Sequence, residues 1–161
     1  MPNAVSNTSP LLYLYRIDAL KWLPGLFEEV FIPGAVVFEL HEGRQKGYDV
    51  PNPGDYKWIR IVEPRVIPSE WFSADLGAGE LAAMSLAMDY PDRIILLDDA
   101  LARRTAMAAG MKVWGTLKIL LEAKSGGFIE CVKPQIDRLE DAGMWISEGI
   151  RQRVLALAGE K

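Results

Sequence analysis

Short apolar runs alternate along this chain with stretches whose apolar residues recur every three or four positions, a pattern that predicts strands alternating with helices. Asn3-Ala4-Val5-Ser6 reads as a strand, and Thr8, Ser9 and Pro10 signal a helix start ahead of Leu11, Leu12, Leu14 and Tyr15. Asp18 is placed to cap a short helix through Lys21-Trp22-Leu23, which Pro24-Gly25 ends. Val30-Phe31-Ile32 is the next strand. Pro33 then opens a helix with Val36, Val37 and Leu40 on one stripe and Gly43 as its stop. Between Gly43 and Lys57 the chain carries Gly, Pro and mixed charge without apolar period, as a long loop would, either a substrate lid or a disordered tip.

Trp58-Ile59-Arg60-Ile61-Val62 alternates like an exposed edge strand closed by Pro64 and Pro68. Ala78 to Met88 has the composition of a buried helix ended by Pro91. Ile94-Ile95-Leu96-Leu97 is apolar throughout, as in a central parallel strand covered on both faces. Ala100 to Ala109 reads as helix, Lys112-Val113-Trp114 as strand, and Thr116 to Lys124 as helix ending at Gly126-Gly127. Lys133 to Gly143 and Ser147 to Ala158 add two more helical segments. Alternating β and α of this kind implies an α/β fold, an open and mostly parallel sheet with helices on both faces. No internal repeat or long linker interrupts it, so residues 1–161 are expected to form one domain with a helical extension over about 133–161.

Composition narrows the chemistry. With 161 residues, half of them apolar and 25% charged, the chain is that of an ordinary globular protein and excludes disorder, collagen-like repeats and a disulfide scaffold. A single Cys131 cannot form an internal bridge, and one Cys with one His cannot assemble a zinc finger or a Cys–His catalytic pair. The absence of a leader-like N-terminus and of any apolar run near membrane length points to a cytoplasmic protein with no membrane partner. Asn7-Thr8-Ser9 matches a glycosylation sequon, which in such a chain is accidental. The net charge of −4 offers no general attraction for nucleic acid, so any such binding needs a local patch or a bound cation.

Ligands of open α/β sheets collect beyond the carboxyl ends of the strands. Asn7 follows the first strand, and Asp98-Asp99 follows the most apolar one. A carboxylate there is desolvated unless compensated, most strongly by a divalent cation, whereas Asp99 also suits a plain helix cap. Glu80 opens a helix, where it complements the dipole. Glu39 borders the apolar stripe of its helix, with Glu42 as a more exposed rival. Gly77-x-Gly79-x-x-Ala82 imitates a dinucleotide fingerprint but follows Ser69-Glu70-Trp71-Phe72-Ser73 where a strand is required, which excludes that reading. Asn7, Glu39, Glu80 and Asp98 come from four elements that such a sheet can bring together. Oxygen-only ligands suit Mg2+ or Mn2+, and phosphodiester hydrolysis is the chemistry such a site supports.

Val5-Ser6-Asn7-Thr8-Ser9-Pro10-Leu11 resembles the opening of the PIN-domain family, in which an Asp followed by Thr or Ser ends the first strand. The resemblance continues through Ile32-Pro33-Gly34-Ala35-Val36-Val37-Phe38-Glu39-Leu40, Leu76-Gly77-Ala78-Gly79-Glu80-Leu81-Ala82 and Leu96-Leu97-Asp98-Asp99-Ala100-Leu101-Ala102-Arg103-Arg104. Gly115-Thr116-Leu117 and the stretch from Asp137-Arg138-Leu139 to Gly149 are similar to a prokaryotic PIN-like group often found beside small antitoxin-like partners.

The resemblance implies a three-layer α/β/α fold and a Mg2+- or Mn2+-dependent endoribonuclease, with the toxin half of a toxin–antitoxin pair as its setting and a homodimer as its assembly. Glu39, Glu80 and Asp98 would be acidic ligands and Asp99 an accessory acid. Thr8 and Ser9 would hold the first ligand or a water by hydrogen bonds. Asn7 departs from the family's Asp: an amide oxygen still ligates but brings no charge, so the alternative is a catalytically weak domain that binds RNA or protein. Arg103, Arg104, Lys112, Lys118 and Lys124 stand against one acid, Glu122, and are candidates for phosphate contacts or a solvated helix face. Arg44 and Lys46, on the long loop, are placed to reach RNA. Trp22, Trp58 and Trp114 sit in apolar contexts that assign them to the core.

Overall fold

The computed structural model describes residues 1–71 and 75–161; Phe72 and Ser73, part of the segment read as preceding the glycine run, lie outside the described residues. Strands β1 (Ala4–Ser6), β2 (Val30–Ile32), β3 (Ile59–Ile61), β4 (Ile94–Leu96) and β5 (Val113–Trp114) form a sheet of order β3-β2-β1-β4-β5. Every pairing among them is parallel. The helices are α1 (Thr8–Arg16), α2 (Leu23–Leu26), α3 (Gly34–Gln45), α4 (Ala78–Asp89), α5 (Ala100–Ala108), α6 (Thr116–Ser125), α7 (Lys133–Asp141) and α8 (Glu148–Leu157).

Alternate strand residues supply two cores. Ala4, Val30, Ile32, Ile94 and Leu96 join Leu11, Leu14, Val36, Leu40, Ile119 and Leu120 from α1, α3 and α6 on one face. Val5, Phe31, Ile95 and Leu97 join Ala83, Met84, Leu86, Ala102 and Ala106 from α4 and α5 on the other. Burial on both faces explains why these strands read as apolar runs without strict alternation. The result is a three-layer α/β/α sandwich. The chain fills β2 and β3 on one side of β1, then returns to lay β4 on the other, so the topological switch lies between β1 and β4. Asn7 and Asp98 follow those two strands, at the place where ligands of such sheets collect.

The first helix-loop expectations need correcting. Asp18 does not cap a helix: it takes a left-handed φ of 57° and pairs with Lys21 at the surface, and a 3-10 turn over Leu20–Trp22 leads into α2. Pro24 and Gly25 lie inside α2 and do not end it, since a proline in the first turn gives up an N–H that the helix leaves unpaired anyway. The third helix does not stop at Gly43. It runs to Gln45 and closes with Gly47 in the left-handed region (φ 86°), where the Gly47 N–H donates to Arg44 O and the Tyr48 N–H to Gly43 O. Gly43 is instead a point of close approach, because a Cβ there would lie 3.3 Å from Val50 Cγ1. The loop is shorter for this reason, and its middle forms a 3-10 turn, Pro53–Asp55, in which Asn52 Oδ1 accepts from the Gly54 N–H.

Helices α7 and α8 cover α6 through Val132, Ile136, Leu139, Val154 and Leu155. Glu160 fastens the end of this extension, accepting from the Val132 and Lys133 N–H groups and from Lys124 Nζ at 2.8, 3.1 and 2.9 Å. Burial alone would raise its pKa, but those donors hold it below the usual glutamate range. A depressed pKa contributes stability that is present above the unfolded-chain value and lost as pH falls through the folded one. Glu160→Ala is therefore expected to lower unfolding free energy by about 1.5–3 kcal/mol near neutral pH, the scale of hydrogen bonds to a charged group, with the difference from wild type shrinking in acid. Urea melts at two pH values measure it.

Candidate active site

Asn7 caps α1 in extended backbone, and its N–H donates to Leu96 O at 3.1 Å, which ties the end of β1 to β4. Its side chain makes no cap hydrogen bond. The residue is 4% exposed, and Oδ1 is the one buried side-chain oxygen among the described residues without a hydrogen-bond partner. A buried unpaired acceptor costs about 1–3 kcal/mol, so something that donates to it or coordinates it is the expected remedy. Burial also makes the sequon at Asn7 unusable in the folded chain.

Glu39 reaches the same spot from α3. Its Oε1 accepts from Thr8 Oγ1, so Thr8 positions Glu39 and not Asn7. Gly79, in the first turn of α4, closes the cradle: a Cβ on it would overlap the Glu39 carboxylate and lie 3.1 Å from Asn7 Oδ1. This close approach is the use of the second glycine in the run that imitates a dinucleotide fingerprint. Ser9, in the first turn of α1, lines both clefts at the site.

Glu80 follows directly, its Oε1 accepting from the Gly77 N–H at 2.9 Å as a helix N-terminal bond. Desolvation pushes its pKa up against that hydrogen bond, and the charges of Asp99 and Glu39 push it further in the same direction. Asp98 lies past β4. Its two oxygens accept from the backbone N–H and Oγ1 of buried Thr116, each at 2.7 Å. Desolvation raises its pKa, opposed by the two Thr116 bonds and by the Arg103 charge. A carboxylate has about four acceptor positions, so each Asp98 oxygen keeps a free lone pair. Asp99 is exposed and caps α5, with Oδ2 accepting from the Ala102 N–H at 2.9 Å.

Two clefts meet over these groups and share Ser9 and Glu80. The first, of about 500 Å3, lies between Asn7, Glu39, Glu42, Lys46 and Tyr48. The second, of about 740 Å3, is lined by Asp98, Asp99, Arg103, Lys118, Trp145 and Arg153 among others. Arg103 is held beside Asp98 because Gly115 has no Cβ to displace it, and its Nη1 donates to Leu97 O at 3.4 Å. Lys118 pairs with Glu122 at 2.8 Å. Two of the proposed phosphate contacts stand apart from both clefts. Arg44 lines a hollow with Val37 and His41 and donates to Pro51 O, and Arg104 lines one against Trp71. Sequence reasoning missed Thr116, Tyr48, Trp145 and Arg153. Only Thr116 left a trace there, as the residue after a glycine at a helix start.

Among the described residues no three Asp, Glu, His or Cys side chains already stand together as a metal cage. The donors nonetheless match a hard divalent cation. They are all oxygens, one is buried and unpartnered, and a missing Cβ at Gly79 leaves room for it beside Glu39. Desolvation is the main cause of the raised Glu80 pKa, and the neighbouring carboxylates of Asp99 and Glu39 add to it, as unbalanced like charges do. No helix among the described residues is long and apolar enough to cross a membrane.

A family model described as a PIN domain matches residues 3–160. No curated protein matches the chain significantly.

Proposed function

The chain belongs to the PIN-domain family, and from that premise we propose that it is a Mg2+- or Mn2+-dependent endoribonuclease whose cation is held by Asn7, Glu39, Glu80 and Asp98. The observation that carries the reading is the buried, unpartnered Asn7 Oδ1 beside the Glu39 carboxylate. When bound, the cation lowers the pKa of a water and offsets charge on the scissile phosphate. Thr8 fixes the orientation of Glu39, and Thr116 holds Asp98 in one position with a free lone pair on each oxygen. Arg103 and Lys118, with Lys46 across the site, supply positive charge for the flanking phosphates. Asp99 adds to the negative field that raises the Glu80 pKa and so favours a cation. The proposed setting is that of the resembling group, a toxin with a small antitoxin-like partner.

One observation favours a second reading, an RNA- or protein-binding module with little turnover: the ligand at the end of β1 is a neutral amide. Asn7→Asp separates the two. In the nuclease it tightens Mn2+ binding on the order of 10-fold, since affinity for hard cations follows ligand charge, and it raises the cleavage rate of single-stranded RNA. In the module it raises affinity without turnover. Calorimetric Mn2+ titration beside a cleavage assay reads both effects. Wild-type cleavage that survives EDTA, or unchanged metal affinity in Asn7→Asp, overturns the site as assembled.

A further inference from the structure

Among the described residues Trp145 has the largest exposure of the big apolar side chains, 84%, although its neighbours Met144 and Ile146 pack on the core. The segment that carries it is fixed at both ends. Gly143 turns the chain at φ 108° and the Met144 N–H bonds to Leu139 O, while Ser147 caps α8 and Arg151 pairs with both Asp137 and Glu140. The indole is thus held outward on a rigid base. Ile150 and Leu157, 47% and 69% exposed, line the same cleft, so the ring belongs to an exposed apolar patch of the kind that marks a contact site.

The ring lines the 740 Å3 cleft together with Arg103, Lys118 and Arg153 and with Glu80, Asp98 and Asp99. Arg153 has no ion-pair or hydrogen-bond partner among the described residues, in a chain of net charge −4. Cations with an exposed aromatic ring, in one cleft that also takes in Asp98, match the way single-stranded nucleic acid is held: phosphates on the charges, a base on the ring. We infer that Trp145 is a stacking platform for a base of single-stranded RNA whose phosphates follow Arg153, Lys118 and Arg103 toward Asp98. The inference deepens the nuclease reading by giving that site a second contact with its substrate, and it rests on that reading.

The test is titration of the full chain, in an Asp98→Asn background that blocks cleavage, with a decamer of uridylate, followed by tryptophan fluorescence and by anisotropy. Trp145→Ala is expected to weaken binding about 5- to 100-fold, the range for loss of one base–aromatic stack, with an unchanged salt slope. Trp145→Phe retains most of the affinity but loses the fluorescence change. Arg153→Ala lowers the slope of log affinity against log salt by about 0.7, one phosphate on a single strand. Equal affinity of Trp145→Ala and its parent, or no binding by the parent, overturns the platform. So does a Trp145→Ala effect confined to the sedimentation mass of the free protein, which would make this face a contact between copies. If binding depends on Trp145 but the wild-type chain does not cleave with Mg2+ or Mn2+, the nuclease reading fails and the platform stands. If the wild type cleaves and Trp145→Ala leaves KM unchanged, the reverse holds.

Discussion

Asp98→Asn is expected to reduce metal-dependent RNA cleavage by about 100-fold or more, because even groups that only support a metal ligand are worth about 10- to 100-fold and in the proposed site this substitution removes a charged ligand itself. The same change leaves the fold intact. Asparagine accepts from the Thr116 N–H through Oδ1 and donates to Thr116 Oγ1 through its amide, so both bonds at 2.7 Å persist. It also removes a desolvated charge. The Asp98 carboxyl binds its proton more tightly in the fold than in the unfolded chain, chiefly through burial, and Glu80 does so for the same reason. A raised carboxyl pKa means that stability falls as pH rises from the ordinary carboxylate range through the folded value, and stays lower above it. Metal-free wild type is therefore expected to melt at higher temperature near pH 5 than near pH 8 as far as this site governs it, and Asp98→Asn to flatten that dependence. Thermal melts in EDTA across this range, beside cleavage assays in Mn2+, measure both. A large loss of melting temperature in metal-free Asp98→Asn would make Asp98 a structural residue.

Gly79→Ala is expected to cost about 10- to 100-fold in Mn2+ affinity and cleavage with little change in stability. The added methyl overlaps the Glu39 carboxylate, which must swing away from Thr8 and from Asn7 Oδ1, while the helix itself loses nothing. Alanine is favoured over glycine within helices by about 1 kcal/mol, and this gain offsets part of the displacement of Glu39. Calorimetric Mn2+ titration and urea melts of the variant separate the two effects. Wild-type metal affinity in Gly79→Ala would show that Asn7 and Glu39 do not act as a ligand pair. Collapse of the fold would show that Gly79 serves packing between α3 and α4.

Much of the architecture was legible because burial leaves a local trace. Ile94 to Leu97 is apolar at every position, since β4 has neighbours on both edges and helices on both faces. Ile59-Arg60-Ile61 reads as an exposed edge strand and β3 is an edge, but Ile61 is exposed like Arg60, so the alternation there does not track burial. Gly43 shows where a local rule gives out. Glycine is a fair helix stop, but here its missing Cβ admits Val50 and the helix continues to the left-handed Gly47. Pro24 and Gly25 misled for a related reason, because a first turn tolerates what a helix interior does not.

Apolar period and cap residues act over a few positions, so the succession of strands and helices along the chain and the two-sided burial of the sheet are legible in the chain alone, and the family is legible in the resemblance of its motifs. That Asn7 and Asp98 each follow a strand is legible in the chain, whereas the pairing of those strands, with the switch between them, belongs to the sheet order. The surroundings of both residues come from the tertiary structure: Thr116 on Asp98, Thr8 on Glu39, Gly79 against both Glu39 and Asn7, and an outward Trp145 in the cleft that Asp98 also lines. The partners in these contacts come from separate elements, up to 72 positions apart for Asn7 and Gly79, and a contact across that distance imposes no period on the residues between.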